Sequence, residues 1–210
     1  MREITFLGTT LLFILLFYWA TGQGRKSLLI NGTWAIVISI LSLGGIFSAN
    51  PKLFLAALIG TILVNIAVYR EERGTHFRVA PLLIIQSLRI IVELYLYSLY
   101  LDKLLPKVMT FRGSNFDIFI GVAALLFLLL YTFRNVILQT PVFVIWNYLG
   151  ILSLVAVVVT GILSSPVPLQ QFGFEQPNTA VLVFPYALLP TIIVPVAIQS
   201  HLLLLRASRP

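Results

Sequence analysis

The most regular feature of the sequence is a series of long apolar segments separated by short polar ones. A helix that crosses a bilayer needs about 20 predominantly apolar residues, and glycine, proline and charged residues mark the breaks between such helices. The pattern predicts an all-α fold, a seven-transmembrane-helix bundle that forms a single integral membrane domain over 1–210. The predicted helices are at about 3–21, 31–48, 52–70, 81–101, 116–133, 142–164 and 182–204.

The composition agrees with a chain that is surrounded mainly by lipid. Hydrophobic residues make up 59% of the sequence and charged residues 10%, whereas about a quarter of the residues of a soluble domain are charged. Seven spans would use most of the chain, so a tethered soluble enzyme of ordinary size is excluded. The absence of cysteine also excludes disulfides, thiol catalysis and iron–sulfur clusters.

The distribution of basic residues predicts an orientation. Seven spans place the termini on opposite sides, and positive charges are more frequent in cytoplasmic loops. The N-terminus is therefore predicted outside and the C-terminus cytoplasmic. The net charge of +7 is attributed to this rule and to anionic lipid headgroups, and no nucleic acid partner is expected. The loops on the C-terminal side have eight basic residues and those on the other side five: Arg25, Lys26, Arg70, Arg73, Arg78, Arg134, Arg206 and Arg209 against Arg2, Lys52, Lys103, Lys107 and Arg112.

The fourth predicted helix carries the strongest polar signal. Gln86, Arg89, Glu93, Tyr97 and Tyr100 follow one another at helical spacing and share one face. Each charge at the centre of a span costs about 2.5–3.5 kcal/mol, so two charges require a reason. Arg89 and Glu93 are one turn apart, and we expect them to pair directly. Such a pair either locks helices together or forms a proton or anion site lined by the tyrosines.

The last predicted helix is interrupted by proline. Pro190 and Pro195 would leave carbonyl groups without their helical donors, which is explained either by a packing kink or by a broken helix that exposes carbonyls to an ion or substrate. Helices four, six and seven, with helix three, are expected to enclose a polar chamber. The candidate ligand-binding or proton-coupling residues are Arg89, Glu93, Gln86, Tyr97, Asn147, Thr191, His201 and Asn65. For Asn65 and Asn147, hydrogen bonding between helices is the favoured role and ligand contact the alternative.

Two long loops on the predicted outer side complete the pattern. Residues 102–117 mix charged and aromatic side chains, and Asn115 or Asp117 is suited to cap the fifth helix. Residues 166–178 are rich in amides and apolar side chains. They either fold back over the bundle as a lid or only anchor aromatic side chains at the interface.

Separated segments of the second half of the chain form a specific set of motifs. They are Met109-Thr110-Phe111 with Gly113 and Asn115-Phe116-Asp117, then Pro166, Pro168, Gln170 and Phe172, then Gln176-Pro177-Asn178, then Leu189-Pro190-Thr191 with Val194 and Pro195, and His201. With Arg89 and Glu93 they cover about 86–204. This set resembles a family of uncharacterised small seven-helix bacterial integral membrane proteins, in which an acidic residue often stands where this chain has Arg112. The resemblance implies a multi-pass protein of the bacterial inner (plasma) membrane with membrane lipids as partners, and it implies no activity.

The inventory of polar residues orders the functional hypotheses. Only two histidines occur, so paired-histidine haem ligation and three-histidine zinc sites are excluded, and no cofactor, metal or catalytic residue is expected. The first hypothesis is transport of a small solute or ion, with Glu93 as a protonation switch and Arg89 as its partner. The alternative is a protein that binds or senses a lipid or apolar ligand beneath the outer loops. A third is a membrane-embedded enzyme with His201 as general base. The oligomeric state is left open.

Overall fold

The computed structural model describes residues 1–22, 24–72 and 76–208, and for Asn135 it describes the backbone alone. Arg73 and Arg209, which the sequence counts among the basic residues of the C-terminal side, lie outside the described residues. Within the described ranges the chain is helical and contains no strand. The helices are α1 (Arg2–Ala20), α2 (Arg25–Leu43), α3 (Ile46–Ala49), α4 (Pro51–Glu72), α5 (Val79–Ser87), α6 (Arg89–Leu101), α7 (Asp117–Phe133), α8 (Pro141–Leu163) and α9 (Val194–Ala207).

Six of the described helical segments are long and apolar enough to cross a membrane. They are Arg2–Ala20, Arg25–Leu43, Pro51–Glu72, Val79–Leu101, Pro141–Leu163 and Leu189–Ala207. Val79–Leu101 joins α5 and α6 through a single turn residue, Leu88, and Leu189–Ala207, which we call the last span, joins a π-helical turn to α9. The helix Asp117–Phe133 is equally apolar but shorter, with 17 residues.

Two of the predicted helix bounds are wrong. The second helix was expected at 31–48, but it begins at Arg25 and ends at Leu43, because Gly45 adopts a left-handed conformation with φ of 68° that stops the helix before α3. The last helix was expected at 182–204, but the last span begins at Leu189. Pro185 therefore lies in the preceding turn, and the carbonyl of Tyr186 accepts a hydrogen bond from the backbone N–H of Leu189.

The last span lies at the centre of the bundle. In its most apolar window 72% of the residues are buried, against 22% for α2 and for α4, which are peripheral. It packs against α1, α4, α5 and α8, while α5 and α6 pack against α7. Polar side chains on the inner faces of these helices are therefore enclosed by protein on several sides.

Helix α7 begins inside the bundle rather than at its rim. A Cβ atom on Gly121 would lie 2.9 Å from Cγ1 and 3.1 Å from the backbone nitrogen of Ile90, so the two residues are at the same depth. Asp117, one turn earlier in α7, is then level with the first turns of α6. The loop 102–116 descends into the bundle to reach this point, which explains why α7 is shorter than its neighbours.

The second long loop closes over this descending loop. Nε2 of Gln176 donates hydrogen bonds to the carbonyls of Tyr100 and Leu105, at 2.9 and 2.6 Å. Nδ2 of Asn178, which is fully buried, donates to the carbonyl of Gly161 at 3.2 Å. These bonds hold residues 166–178 against the helix ends, while Phe172 and Phe174 remain exposed. The lid and the aromatic anchor therefore both stay predictions.

Candidate functional site

The buried polar centre of the bundle is organised around the guanidinium group of Arg89, which is only 2% exposed. Nη2 lies 2.5 Å from Oδ1 of Asp117, in an ion pair, and donates to Oγ of Ser153 at 2.8 Å. Nη1 lies 3.0 Å from Nε2 of His201 and donates to Oε1 of Gln86 at 3.3 Å. Four neighbouring segments thus hold one cation, as a buried arginine requires.

The hydrogen-bond partners of His201 fix one tautomer of its ring. Nδ2 of Asn147 donates to the carbonyl of Phe143 at 2.9 Å, so Oδ1 of Asn147 is the atom that faces the histidine. Nδ1 of His201 lies 2.9 Å from that oxygen and must donate, whereas Nε2 faces Arg89, which can only donate. His201 is therefore the neutral imidazole with its proton on Nδ1, and both ring nitrogens are occupied.

Glu93 does not form the expected ion pair with Arg89. Among the described residues the ion-pair partner of Arg89 is Asp117, and Oε1 of Glu93 instead accepts a hydrogen bond from Nδ2 of Asn115 at 2.5 Å. The physical reason is the direction of helical side chains. The side chains of Arg89 and Glu93 both lean toward the N-terminus of their helix, so the guanidinium group of Arg89 lies near Gln86 and away from the carboxylate of Glu93. Asp117 approaches the guanidinium group from the neighbouring helix α7.

Asn115 connects the two carboxylates. Its Oδ1 accepts a hydrogen bond from the backbone N–H of Asp117 at 3.0 Å, in a turn that leads into α7. The expected capping of this helix by Asn115 or Asp117 is wrong, because its N-cap residue is Phe116 and no side chain caps it. Its Nδ2 also donates to the carbonyl of Met109 at 3.1 Å. The amide is therefore held in one orientation and must present a donor to Glu93. The second carboxylate oxygen, Oε2, is buried and has no partner among the described residues.

The charges of this centre are not balanced. Arg89 contributes one positive charge, Asp117 and Glu93 two carboxylates, and His201 is neutral in the tautomer that its bonds require. With both carboxylates ionised the buried centre has a net charge of −1, and a single proton on Oε2 of Glu93 would neutralise it. A buried charge without a counter-ion is costly, so this oxygen is the natural place for a proton.

A glycine makes room for this arrangement. A Cβ atom on Gly150 of α8 would lie 2.2 Å from Nε2 and 2.3 Å from Cε1 of His201, which no side chain can tolerate. The imidazole therefore lies directly over the backbone of α8, next to Ser153 and Asn147 on the same helix. The ring of Trp146 packs edge-on against it, with centroids 5.1 Å apart.

A small cavity adjoins the centre from the side of the descending loop. It has a volume of about 50 Å³ and is lined by Asn115, Ser153 and mainly apolar residues of 108–116 and α8. Asn115 contacts Glu93, and Ser153 contacts Arg89, so the cavity borders both ends of the charged group. Its size admits only a few water molecules.

Three of the sequence-predicted residues lie elsewhere. Tyr97 packs against Phe111 and under the guanidinium of Arg112, 5.4 Å from its ring centroid. Thr191 donates to the carbonyl of Ala187, in the turn that precedes its helix, and Asn65 accepts a hydrogen bond from Gln199 at 2.7 Å. Gln86, Arg89, Asn147 and His201 are in the centre itself, and Glu93 joins it through Asn115. The fourth side of the polar centre is closed by α7 and not, as expected, by the third predicted helix, which is α4 in the structure.

Sequence reasoning missed Asp117, Asn115 and Ser153 as members of the site. Asp117 and Asn115 were assigned to the end of a helix, where polar residues are ordinary, and Ser153 is a single small polar residue in an apolar run. Asp117, the acidic residue that begins α7, was the one usable signal, because a basic residue inside a span needs an acidic partner from another segment. Among the described residues no group of three His, Asp or Glu side chains is placed to hold a metal ion.

The long apolar helices and the enclosed ionic centre define a helical membrane protein with a buried polar site. The chain belongs to the family described as a domain of unknown function, DUF8737, whose model matches residues 46–208. The match includes every residue of the centre. No curated protein and no solved structure was found to match the chain.

Proposed function

We propose that the chain is a seven-span protein of the bacterial inner membrane with its N-terminus outside. The helix Asp117–Phe133 would supply the remaining span, since 17 residues is the lower limit for crossing a bilayer and its start is already inside the bundle. The excess of basic residues on the C-terminal side supports the orientation. The chain has no cysteine, so Q171C and K26C provide clean labelling sites on the two sides. If K26C rather than Q171C is labelled from the outside, the proposed orientation is wrong.

We further propose that the protein is a proton-coupled transporter of an ion or small solute, with Glu93 as the group that gains and loses the proton. The observation that carries the proposal is Oε2 of Glu93, which has no partner among the residues that the structure describes and lies in a buried centre with two carboxyl groups and one cation. The Arg89–Asp117 pair is the fixed part of this site, because Arg89 has partners on four segments. Glu93 is the variable part, because Asn115 satisfies only one of its two oxygens.

The geometry favours a proton or small ion over a larger solute. The cavity beside the centre holds about 50 Å³, far below the roughly 300 Å³ at which ligand pockets for organic molecules begin. The same size argues against an acyl chain beneath the outer loops, as the alternative function would need. A role for His201 as a catalytic base is also disfavoured, because Asn147 and Arg89 occupy both of its ring nitrogens.

The proposal is tested in sealed vesicles of phosphatidylethanolamine and phosphatidylglycerol that contain the purified protein and a pH-sensitive dye. Gradients of sodium, potassium, chloride and phosphate are imposed in turn. We expect one gradient to drive proton movement in the wild-type protein and in the matched control Glu175→Gln, an exposed loop residue, and not in Glu93→Gln. Equal proton movement with Glu93→Gln, or none with any gradient, would overturn the proposal.

A second measurement isolates the proton-binding step. Infrared difference spectra between acidic and alkaline buffer report the protonated carboxyl group directly. We expect a band of a buried carboxylic acid in the wild-type and Glu175→Gln proteins that is missing from Glu93→Gln. If the band persists in Glu93→Gln, the proton is held by another group, and the assignment to Glu93 is wrong.

A further inference from the structure

A second cavity, unrelated to the ionic centre, lies on the flank of the bundle between α4, α8 and the last span. We call it the flank groove. Its volume is about 520 Å³, and its walls are mostly apolar, with Ile62 and Ile66 of α4, Val158 of α8 and Ile198 of the last span among them. Ile62 and Ile66 are 60% and 44% exposed, so the groove is continuous with the lipid-facing surface of α4. Nothing in the proposed transport step uses it.

One end of the flank groove is polar and carries a cation that pairs with no carboxylate in the described part of the chain. Tyr69 and Arg70, close to the C-terminal end of α4, line this end. Arg70 is exposed and, among the described residues, forms no ion pair, and the hydroxyl of Tyr69 has no hydrogen-bond partner there. The neighbouring carboxylate of Glu71 is paired with Lys26 instead. Within the part of the chain that the structure describes, two adjacent donors are therefore without partners where the groove ends, near the C-terminal end of α4.

A buried polar atom on the groove wall is also unsatisfied. Gln199 lines the groove and is only 4% exposed. Its Nε2 donates to Oδ1 and to the carbonyl of Asn65, at 2.7 and 3.2 Å, whereas its Oε1 has no partner among the described residues. This oxygen is enclosed by the protein itself, so the contacts that the groove offers to a ligand are its apolar walls and the end formed by Tyr69 and Arg70.

We propose that the flank groove binds an anionic phospholipid of the surrounding leaflet. One acyl chain would lie along the apolar walls, and the phosphate would lie at the guanidinium of Arg70 with the hydroxyl of Tyr69 beside it. Arginine pairs with phosphate through parallel hydrogen bonds, and a basic residue at the membrane surface attracts anionic lipid. The position of the cation at one end of a long apolar groove matches the division of a phospholipid into headgroup and tail.

The groove also touches the helix that carries part of the ionic centre. Pro190 and Pro195 form part of its wall, and both belong to the last span, which carries His201 six residues after Pro195. A bound lipid would therefore press against the π-helical turn of that span. This gives the lipid a way to influence the centre without entering it.

The test uses the full-length protein in vesicles that contain a phosphatidylglycerol with a photoreactive group in one acyl chain, and the cross-linked residues are mapped by mass spectrometry. We expect cross-links to concentrate on the walls of the flank groove. Arg70→Gln is expected to weaken this labelling about fivefold, as judged by competition with unlabelled phosphatidylglycerol. The matched control Arg25→Gln, an exposed arginine on the same side that does not line the groove, should leave it unchanged.

A pair of tryptophan variants tests the apolar part. Ile62→Trp fills the groove and should abolish the concentrated labelling, whereas Ile59→Trp, 63% exposed on the same helix but outside the groove, should not. Both positions are lipid-facing, so neither variant disturbs the core. Three results would each overturn the proposal: labelling spread evenly over the lipid-facing helices, equal competition by phosphatidylcholine, or cross-links between two protein copies in the groove.

Discussion

The close approach of Gly150 and His201 allows a quantitative test of the ionic centre. In Gly150→Ala the added methyl group would lie 2.2 Å from Nε2 of His201, and the ring would have to move by about 1 Å to reach ordinary contact. The ring cannot move without lengthening its bonds to Arg89 and Asn147, at 3.0 and 2.9 Å. Overpacking costs about 1–3 kcal/mol and each interhelical hydrogen bond about 0.6 kcal/mol, so the free energy of unfolding should fall by about 2–4 kcal/mol.

The assay is equilibrium unfolding of the purified protein in mixed detergent micelles. Gly8→Ala is the matched control, because nothing lies within 4 Å of the added methyl group and alanine favours a helix by about 0.5–1 kcal/mol. The cost of Gly150→Ala should also disappear in a His201→Ala background, where the ring is absent. If Gly150→Ala unfolds like Gly8→Ala, or costs the same without the ring, the packing argument is refuted.

Three further variants test other parts of the structure by the same unfolding assay. Arg89→Gln leaves Asp117 buried without its counter-ion, and we expect it to lower the free energy of unfolding by about 3–5 kcal/mol. Asp102→Asn removes the ion pair between Arg2 and Asp102, whose side chains are 38% and 43% exposed respectively. It should change the free energy of unfolding by less than about 1 kcal/mol. Thr140→Ala removes the hydroxyl that accepts the N–H of Phe143 at the start of α8 and should cost about 1 kcal/mol. Equal effects of Arg89→Gln and Asp102→Asn would contradict the burial of the centre.

The helical class of the fold was predictable because apolar length alone requires it. A stretch of about 20 apolar residues has few alternatives to a helix in lipid, since every backbone group must be satisfied within the segment. The start of the last span was not predictable in the same way. Pro185 and Pro190 are compatible with a kinked helix or with a turn that precedes one, and packing at the centre of the bundle decided between them.

The candidate site was predictable in its composition and only partly in its connections. A charged residue within a span must be buried by protein, which singled out Arg89 and Glu93. Their spacing suggested a direct pair, but the partner of Arg89 comes from a residue 28 positions later in the chain, Asp117. No local pattern reports how deep α7 begins, because that depends on the descent of the loop 102–116.

The sequence by itself determined that this chain forms apolar helices and that a few polar groups among them cannot face lipid. These are properties of each segment alone, set by the cost of transferring backbone and charged groups into hydrocarbon. Only the tertiary structure decided which groups meet. It placed Asp117 rather than Glu93 beside Arg89, left Oε2 of Glu93 without a partner among the described residues, and opened a groove beside Arg70. These outcomes depend on the relative depth and packing of helices that are distant in the chain.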